Sequence, residues 1–326
     1  MKNKYGFVLL MLIFILAGSL GLTTLYVANN RKEESGEFHI VTSFYPMYIA
    51  VLNIVGDTEN VSLTNLSEPQ TGCLHDFQMT PEDMKLLSRA DVFIINGGGI
   101  ESFMEEVAET YPELEVIEAT SGIELLEEGS EESFVVEDEE LEASREGHVH
   151  EHDHDHEENA HAWMSISAYR VMVATMAEQL ATLDEIHAKE YLLNAQIYDA
   201  KLQDLQEEQQ ELYGATEGTN IILFHEAYAY VADEYGMNVC YELNLDEERQ
   251  VGAGEVADVL AVTESDGVKY ILAEELYGKE IGNTIEKESN VTVLYLDTLN
   301  RGKYEKDSYI DAMHNNIELL KQAFIN

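Results

Sequence analysis

Eleven histidines are spread unevenly through the 326 residues, and their placement indicates the chemistry. Five of them, His148, His150, His152, His154 and His156, alternate with other residues in the acidic run GHVHEHDHDHEE. Alternating imidazoles and carboxylates make a flexible, weakly selective ligand set for a borderline metal such as zinc. Three others share a different setting. His75 stands in GCLHDF ahead of a helix start, His161 in NAHAWM ahead of another, and His225 closes the apolar run IILF. Asp297, in YLDTL, closes a strand-like run in the same way. Open α/β sheets bind ligands at such strand ends and loops. Three imidazoles and one carboxylate suffice for a four-coordinate zinc site. A lone histidine of this kind is more often a satisfied structural residue. Four candidates at equivalent positions, beside a histidine-rich tract, favour ligation. His39, His187 and His314 have no such company and read as structural or exposed.

The elements that must carry these residues alternate between strand and helix. His39–Ser43 reads as a buried strand, Tyr45–Val55 as a helix and Val61–Leu66 as a strand. Thr80 followed by Pro81 and Glu82 is a helix start, with threonine as N-cap and proline in the first turn. Asp91–Asn96 is a strand closed by Gly97, Gly98 and Gly99, and Ile100–Thr110 a helix. The pattern disappears from Glu124 to Glu158, where acids crowd out large apolar residues, so this stretch reads as a mobile surface insertion. Helical periodicity returns at Ser165–Leu183 and at Ala188–Tyr213, and Gly214–Gly218 breaks it. Strands Asn220–Phe224, Asn238–Leu243, Tyr270–Ala273 and Val291–Tyr295 then alternate with helices Ala227–Tyr235, Gly254–Asp266 and Ile281–Glu288. A helix from Ser308 closes the chain. The fold class is α/β, with mostly parallel sheets flanked by helices. A leader and linker (1–36) precede an N-terminal lobe (37–187) that carries the insertion (124–158). A linking helix (188–214) and a C-terminal lobe (215–326) follow.

Composition sets the outer limits. Asp and Glu number 64 against 18 Lys and Arg, a formal charge of −46, which repels polynucleotides and anionic lipid and excludes nucleic-acid binding. Lys2 and Lys4 precede an apolar run from Gly6 to Ala28, which reads as an export signal approaching the ~20 residues that span a bilayer. With no lipobox cysteine and no clean cleavage site, an uncleaved anchor is the first expectation and a cleaved signal peptide the second. Either puts the remainder outside the cytoplasm. Only two cysteines occur, Cys73 and Cys240, which excludes a four-cysteine zinc site. In an oxidising compartment the two could form a disulfide, and the sequence leaves their pairing open.

From about Ile40 to the C-terminus, the insertion apart, the chain resembles the metal-receptor (cluster A-I) class of ABC-transporter solute-binding proteins, the zinc and manganese receptors. VTSFYPMY is similar to that family's opening strand and helix, and HDFQMTPEDMKLLSRADVFIINGGGIE to its first-ligand segment. NAHAWMS, LFHEAYAYVADEYGMN and LYLDTLN resemble the second, third and fourth. The resemblance implies His75, His161, His225 and Asp297 as the metal ligands. It also implies two lobes bridged by a rigid helix with the metal in the cleft between them. The metal would pass to a membrane permease driven by a cytoplasmic ATPase. Histidine at 225 and the histidine-rich insertion favour Zn2+, with Mn2+ as the alternative. Two departures stand out: Asn159 and Ala160 replace the family's aspartate–proline, and Cys73 lies two residues before His75.

The expectation is thus a monomeric binding protein, not an enzyme. The histidine-rich tract is expected to gather metal rather than form the tight site. Glu274 and Glu275, after a strand, read as a solvated pair, although one could support a ligand. Two alternatives belong to other classes: a surface adhesin or metal buffer in which the insertion is the active part, and a zinc hydrolase with an open coordination position. No HExxH or other nucleophile motif supports the hydrolase.

Overall fold

The computed structural model describes residues 36–67, 77–127, 158–245 and 251–325. The leader, Cys73, His75 and the histidine-rich tract lie outside the described residues. Among the described residues no helix is long and apolar enough to cross a membrane.

The first half runs β1 (Phe38–Thr42), α1 (Tyr45–Val55), β2 (Val61–Asn65), α2 (Pro81–Leu87), β3 (Val92–Ile95), α3 (Met104–Thr110) and β4 (Glu115–Glu118). Its strands lie in the order β2-β1-β3-β4, and β3 pairs in parallel with β1 (Val41 opposite Phe93) and with β4 (Phe93 opposite Val116). All four residues of β3 are buried, as an inner strand covered on both faces requires. β4 was not legible beforehand: in EVIE only Ile117 is buried, so this edge strand carries almost no apolar signal. The expected helix start at Thr80 is a full capping box, with Asp83 returning a bond to the Thr80 N–H. The helix expected from Ile100 begins only at Met104, because Glu101 folds back onto the Asn96 and Gly97 amides.

A two-stranded antiparallel ladder, β5 (Leu126–Glu127) with β6 (Glu158–Asn159), closes the base of the insertion. Past it, a 3-10 turn (Ala162–Met164) leads into α4 (Ile166–Leu183) and then α5 (Ala188–Gln210). The 23 residues of α5 span about 35 Å. Tyr191, Tyr198, Leu202 and Leu205 form its buried face, and Arg170 of α4 grips it through Asp199 (2.6 and 3.0 Å).

The second half runs α6 (Tyr213–Thr216), β7 (Asn220–Leu223), α7 (Tyr228–Glu234), β8 (Asn238–Glu242), α8 (Ala253–Ser265), β9 (Tyr270–Ala273), α9 (Glu275–Glu288), β10 (Thr292–Tyr295) and α10 (Ser308–Phe324). Its sheet has the order β10-β9-β7-β8, and every pair is parallel. Ile222, Leu243, Val259, Ile271 and Ile285 lie in its core. Helix α9 starts six residues before the expected Ile281, because its early turns pack through glycine rather than through large apolar residues. A Cβ on Gly278 would come within 2.9 Å of the Ala273 Cβ. The C-terminal helix touches both halves: Tyr309 stacks on Tyr169 at 3.8 Å, and Tyr270 donates to the Ala323 carbonyl at 2.8 Å.

Candidate metal centre

His161 and His225 reach each other from different halves of the chain. Their rings meet edge to face, centroids 5.1 Å apart, and both side chains are buried. His225 stands just past the C-terminal end of β7, a sheet edge where side chains converge. His161 follows β6 and sits against Trp163, with ring centroids 4.9 Å apart.

Asn159 determines how the His161 ring is held. Its Oδ1 accepts the His161 backbone N–H (3.0 Å) and lies 3.0 Å from His161 Nδ1. An amide oxygen only accepts, so Nδ1 carries the proton and Nε2 is the lone-pair nitrogen a metal needs. The orientation of Asn159 is itself set by its amide donating to the Glu226 carbonyl at 2.9 Å. Tyr230 donates to the Asn159 carbonyl at 2.6 Å. Glu226 Oε1 lies 3.5 Å from the same His161 nitrogen. His225 has the opposite bias. The Ala227 N–H donates to its Nδ1 at 3.0 Å, which puts the neutral ring's proton on Nε2. Ligation through Nε2 would require that proton to move to Nδ1, at the expense of the Ala227 bond.

Asp297 follows β10 and is exposed. The chain on either side of it is held by residues next to the two histidines. Trp163 donates to the Thr298 carbonyl at 2.9 Å and Tyr228 to the Leu296 carbonyl at 2.7 Å. Asn316 clasps Asp297 itself, accepting its N–H and donating to its carbonyl, both at 2.8 Å. Asp297 Oδ1 accepts from the Leu299 N–H at 2.8 Å, where Leu299 adopts φ +55°. That left-handed conformation is costly for a branched side chain and shows how tightly the turn is determined.

The structure therefore brings His161 and His225 together and docks the Asp297 segment onto their neighbours, while His75 lies outside the described residues. Among the described residues no group of three or more His, Cys, Asp or Glu side chains is gathered closely enough to hold a metal ion. The isolated histidines have local partners: His39 with Ser62 (2.6 Å), His187 with Asp184 (2.6 Å) and His314 with Glu208 (2.9 Å). Cys240 is half-buried on β8.

The solvated-pair reading of Glu274 and Glu275 holds only for Glu275, which is exposed and pairs with Lys279. Glu274 is buried and bonds Arg301 Nη2 at 2.9 Å through Oε1, and its Oε2 meets no donor. Burial raises its pKa, Arg301 opposes the shift and the Asp297 charge adds to it. Sequence reasoning marked Asn159 only as a departure from the family pattern and missed Glu234. Glu234 was legible only as spacing: it lies four residues after Tyr230, on the same side of α7.

The chain is similar to known metal-binding proteins over most of its length. The family model ZnuA, described as the periplasmic component A of a zinc-uptake complex, matches residues 40–323. The high-affinity zinc uptake system protein ZnuA of Bacillus subtilis (strain 168) is 29% identical over 330 residues, spanning 99% of this chain and 98% of that protein. The manganese-binding lipoprotein MntA of Halalkalibacterium halodurans is 25% identical over 328 residues, 97% of each. The nickel complex of FpvC from Pseudomonas aeruginosa matches with a TM-score of 0.72 at 25% identity, over 88% of this chain and 97% of that one.

Proposed function

Because the chain belongs to the ZnuA family of zinc-uptake components, we propose that it captures Zn2+ outside the cytoplasm and hands it to the membrane permease of an ABC transporter. The family supplies the metal-binding part of an uptake complex, and the chain is a binding protein, not an enzyme. His161 and His225 supply two nitrogens to the ion, His75 a third, and Asp297 the carboxylate oxygen. The observation that carries this reading is the buried meeting of His161 with His225 at 5.1 Å, between segments that the sequence places far apart. Nitrogen-rich donor sets suit zinc, whereas manganese favours oxygen. Manganese is the second reading, favoured by the manganese-binding relative.

A competitive zinc and manganese titration of the metal-stripped full chain tests the assignment, alongside His161→Ala. One tightly held zinc that manganese does not displace, lost in the variant, is the expected result. A preference for manganese would change the cargo. Tight zinc binding that survives His161→Ala would overturn the ligand set.

A further inference from the structure

His161 is gripped on both sides by the segment that follows His225. Before it, Asn159 is buried and bonded to the Glu226 carbonyl (2.9 Å) and the Tyr230 hydroxyl (2.6 Å). After it, the Glu234 carboxylate receives five hydrogen bonds. Four come from the start of α4: Ser165 Oγ (2.7 Å), Ile166 N–H (3.1 Å), Ser167 N–H (2.9 Å) and Ser167 Oγ (2.7 Å). The fifth comes from Gln209 of α5 at 2.6 Å. The first backbone N–H groups of a helix have no partner within it, and an anion placed there is further favoured by the helix dipole. Bonds of this kind to an ionised acceptor are about twice as strong as neutral ones.

We propose that the Glu226 carbonyl, the Tyr230 hydroxyl and the Glu234 carboxylate together clamp the segment from Asn159 to Ser167, so that His161 and His225 stand as a preassembled two-histidine half-site before metal arrives. Asn159 and Glu234 are the positioning residues. Asn159 orients the His161 ring and fixes its proton on Nδ1. Glu234 ties the helix that follows His161 to the helix that follows His225, and through Gln209 ties both to α5. Neither residue touches the metal. The ring placement that ligation demands is already set for this pair and only the His225 proton must move, so binding loses less free energy to ordering. This inference rests on the reading of His161 and His225 as ligands and goes beyond it, because it assigns the affinity in part to residues outside the donor set.

The test uses the full chain, stripped of metal, with Zn2+ against a competing chelator as the probe. Asn159→Ala and Glu234→Ala are compared with wild type, and His161→Ala serves as the control. Each positioning variant is expected to weaken zinc binding about 10- to 100-fold, the usual effect of losing a partner that orients a metal ligand. Long-range nitrogen–proton NMR of the metal-free chain at pH 8 gives a readout that a merely structural role would not move. Wild type and Glu234→Ala should show His161 protonated on Nδ1 alone, and Asn159→Ala should show both tautomers. If Glu234→Ala does not fold, Glu234→Gln carries the same expectation at smaller size. Wild-type affinity in folded Asn159→Ala and Glu234→Ala, with zinc lost in His161→Ala, would overturn the clamp and leave the ligand set standing. A wild-type His161 ring protonated on Nε2 would also overturn it. Tight zinc in His161→Ala would instead remove the ligand reading on which the clamp depends.

Discussion

Two buried glutamates occupy comparable places, each just past an inner strand of its sheet, and they are treated differently. Glu101, beyond β3, accepts from Ser43 Oγ (2.8 Å), the Asn96 N–H (2.7 Å) and the Gly97 N–H (3.1 Å). Glu274, beyond β9, has the Arg301 guanidinium on one oxygen and no donor on the other. Asn96 in turn donates to the Ala160 carbonyl at 2.9 Å, so Glu101 supports the loop that carries His161. Glu274 sits within electrostatic reach of Asp297. The first half thus supports the His161 loop with a carboxylate whose two oxygens both accept hydrogen bonds. The second half keeps an acceptor oxygen unbonded near the exposed aspartate. One side is built to stay, and the other retains bonding capacity.

The contrast breaks most sharply at Glu101. Glu101→Ala strands one hydroxyl and two backbone donors in the interior, and roughly 3–5 kcal/mol of stability should be lost, measured by urea unfolding. A loss near zero would mean the carboxylate is no keystone. Glu101 also makes stability depend on pH. Burial pushes its carboxyl up from 4.5 to about 7, against the lowering effect of its donors. A raised folded-state pKa means the native state holds the proton while the unfolded chain has released it. The contribution therefore favours folding below about 4.5 and is gone once the pH passes about 7. Unfolding free energy of wild type relative to Glu101→Gln should fall across that window, and a flat difference would refute the shift. The smallest effects belong to the Glu274 pair. Arg301→Ala leaves a buried carboxylate uncompensated, a change costing about 3–5 kcal/mol for a fully buried pair. Arg301 is 40% exposed, so solvent screening reduces the expectation to about 1–2 kcal/mol. Glu274→Gln removes the charge along with the need for its partner and should move stability by less than about 1 kcal/mol. If it costs as much as Glu101→Ala, the two carboxylates are equivalent and the comparison collapses.

Much of the fold was legible because burial leaves a periodic mark. Helix Tyr45–Val55 and strand Tyr270–Ala273 match their expected bounds, as apolar runs closed by clear breakers should. The edge strand Glu115–Glu118 and the early turns of α9 were not legible, since one side chain or none is buried there per turn. His161 and His225 were visible as candidates from type and position. Their 5.1 Å meeting was not, because no local pattern encodes a contact between segments 64 residues apart.

Residue types and local geometry were readable from the chain alone: a parallel α/β alternation, a capped helix at Thr80, histidines placed at loop mouths, and motifs specific enough to indicate a metal-receptor family. Those depend on neighbours within a few residues, which the chain states directly. Tertiary structure alone decided which nitrogen of each ring carries its proton, that Glu274 is buried while Glu275 is not, and that Glu234 closes the helix beside His161. Those outcomes rest on donors and acceptors brought from distant strands, and only packing fixes which of them lie within hydrogen-bond reach.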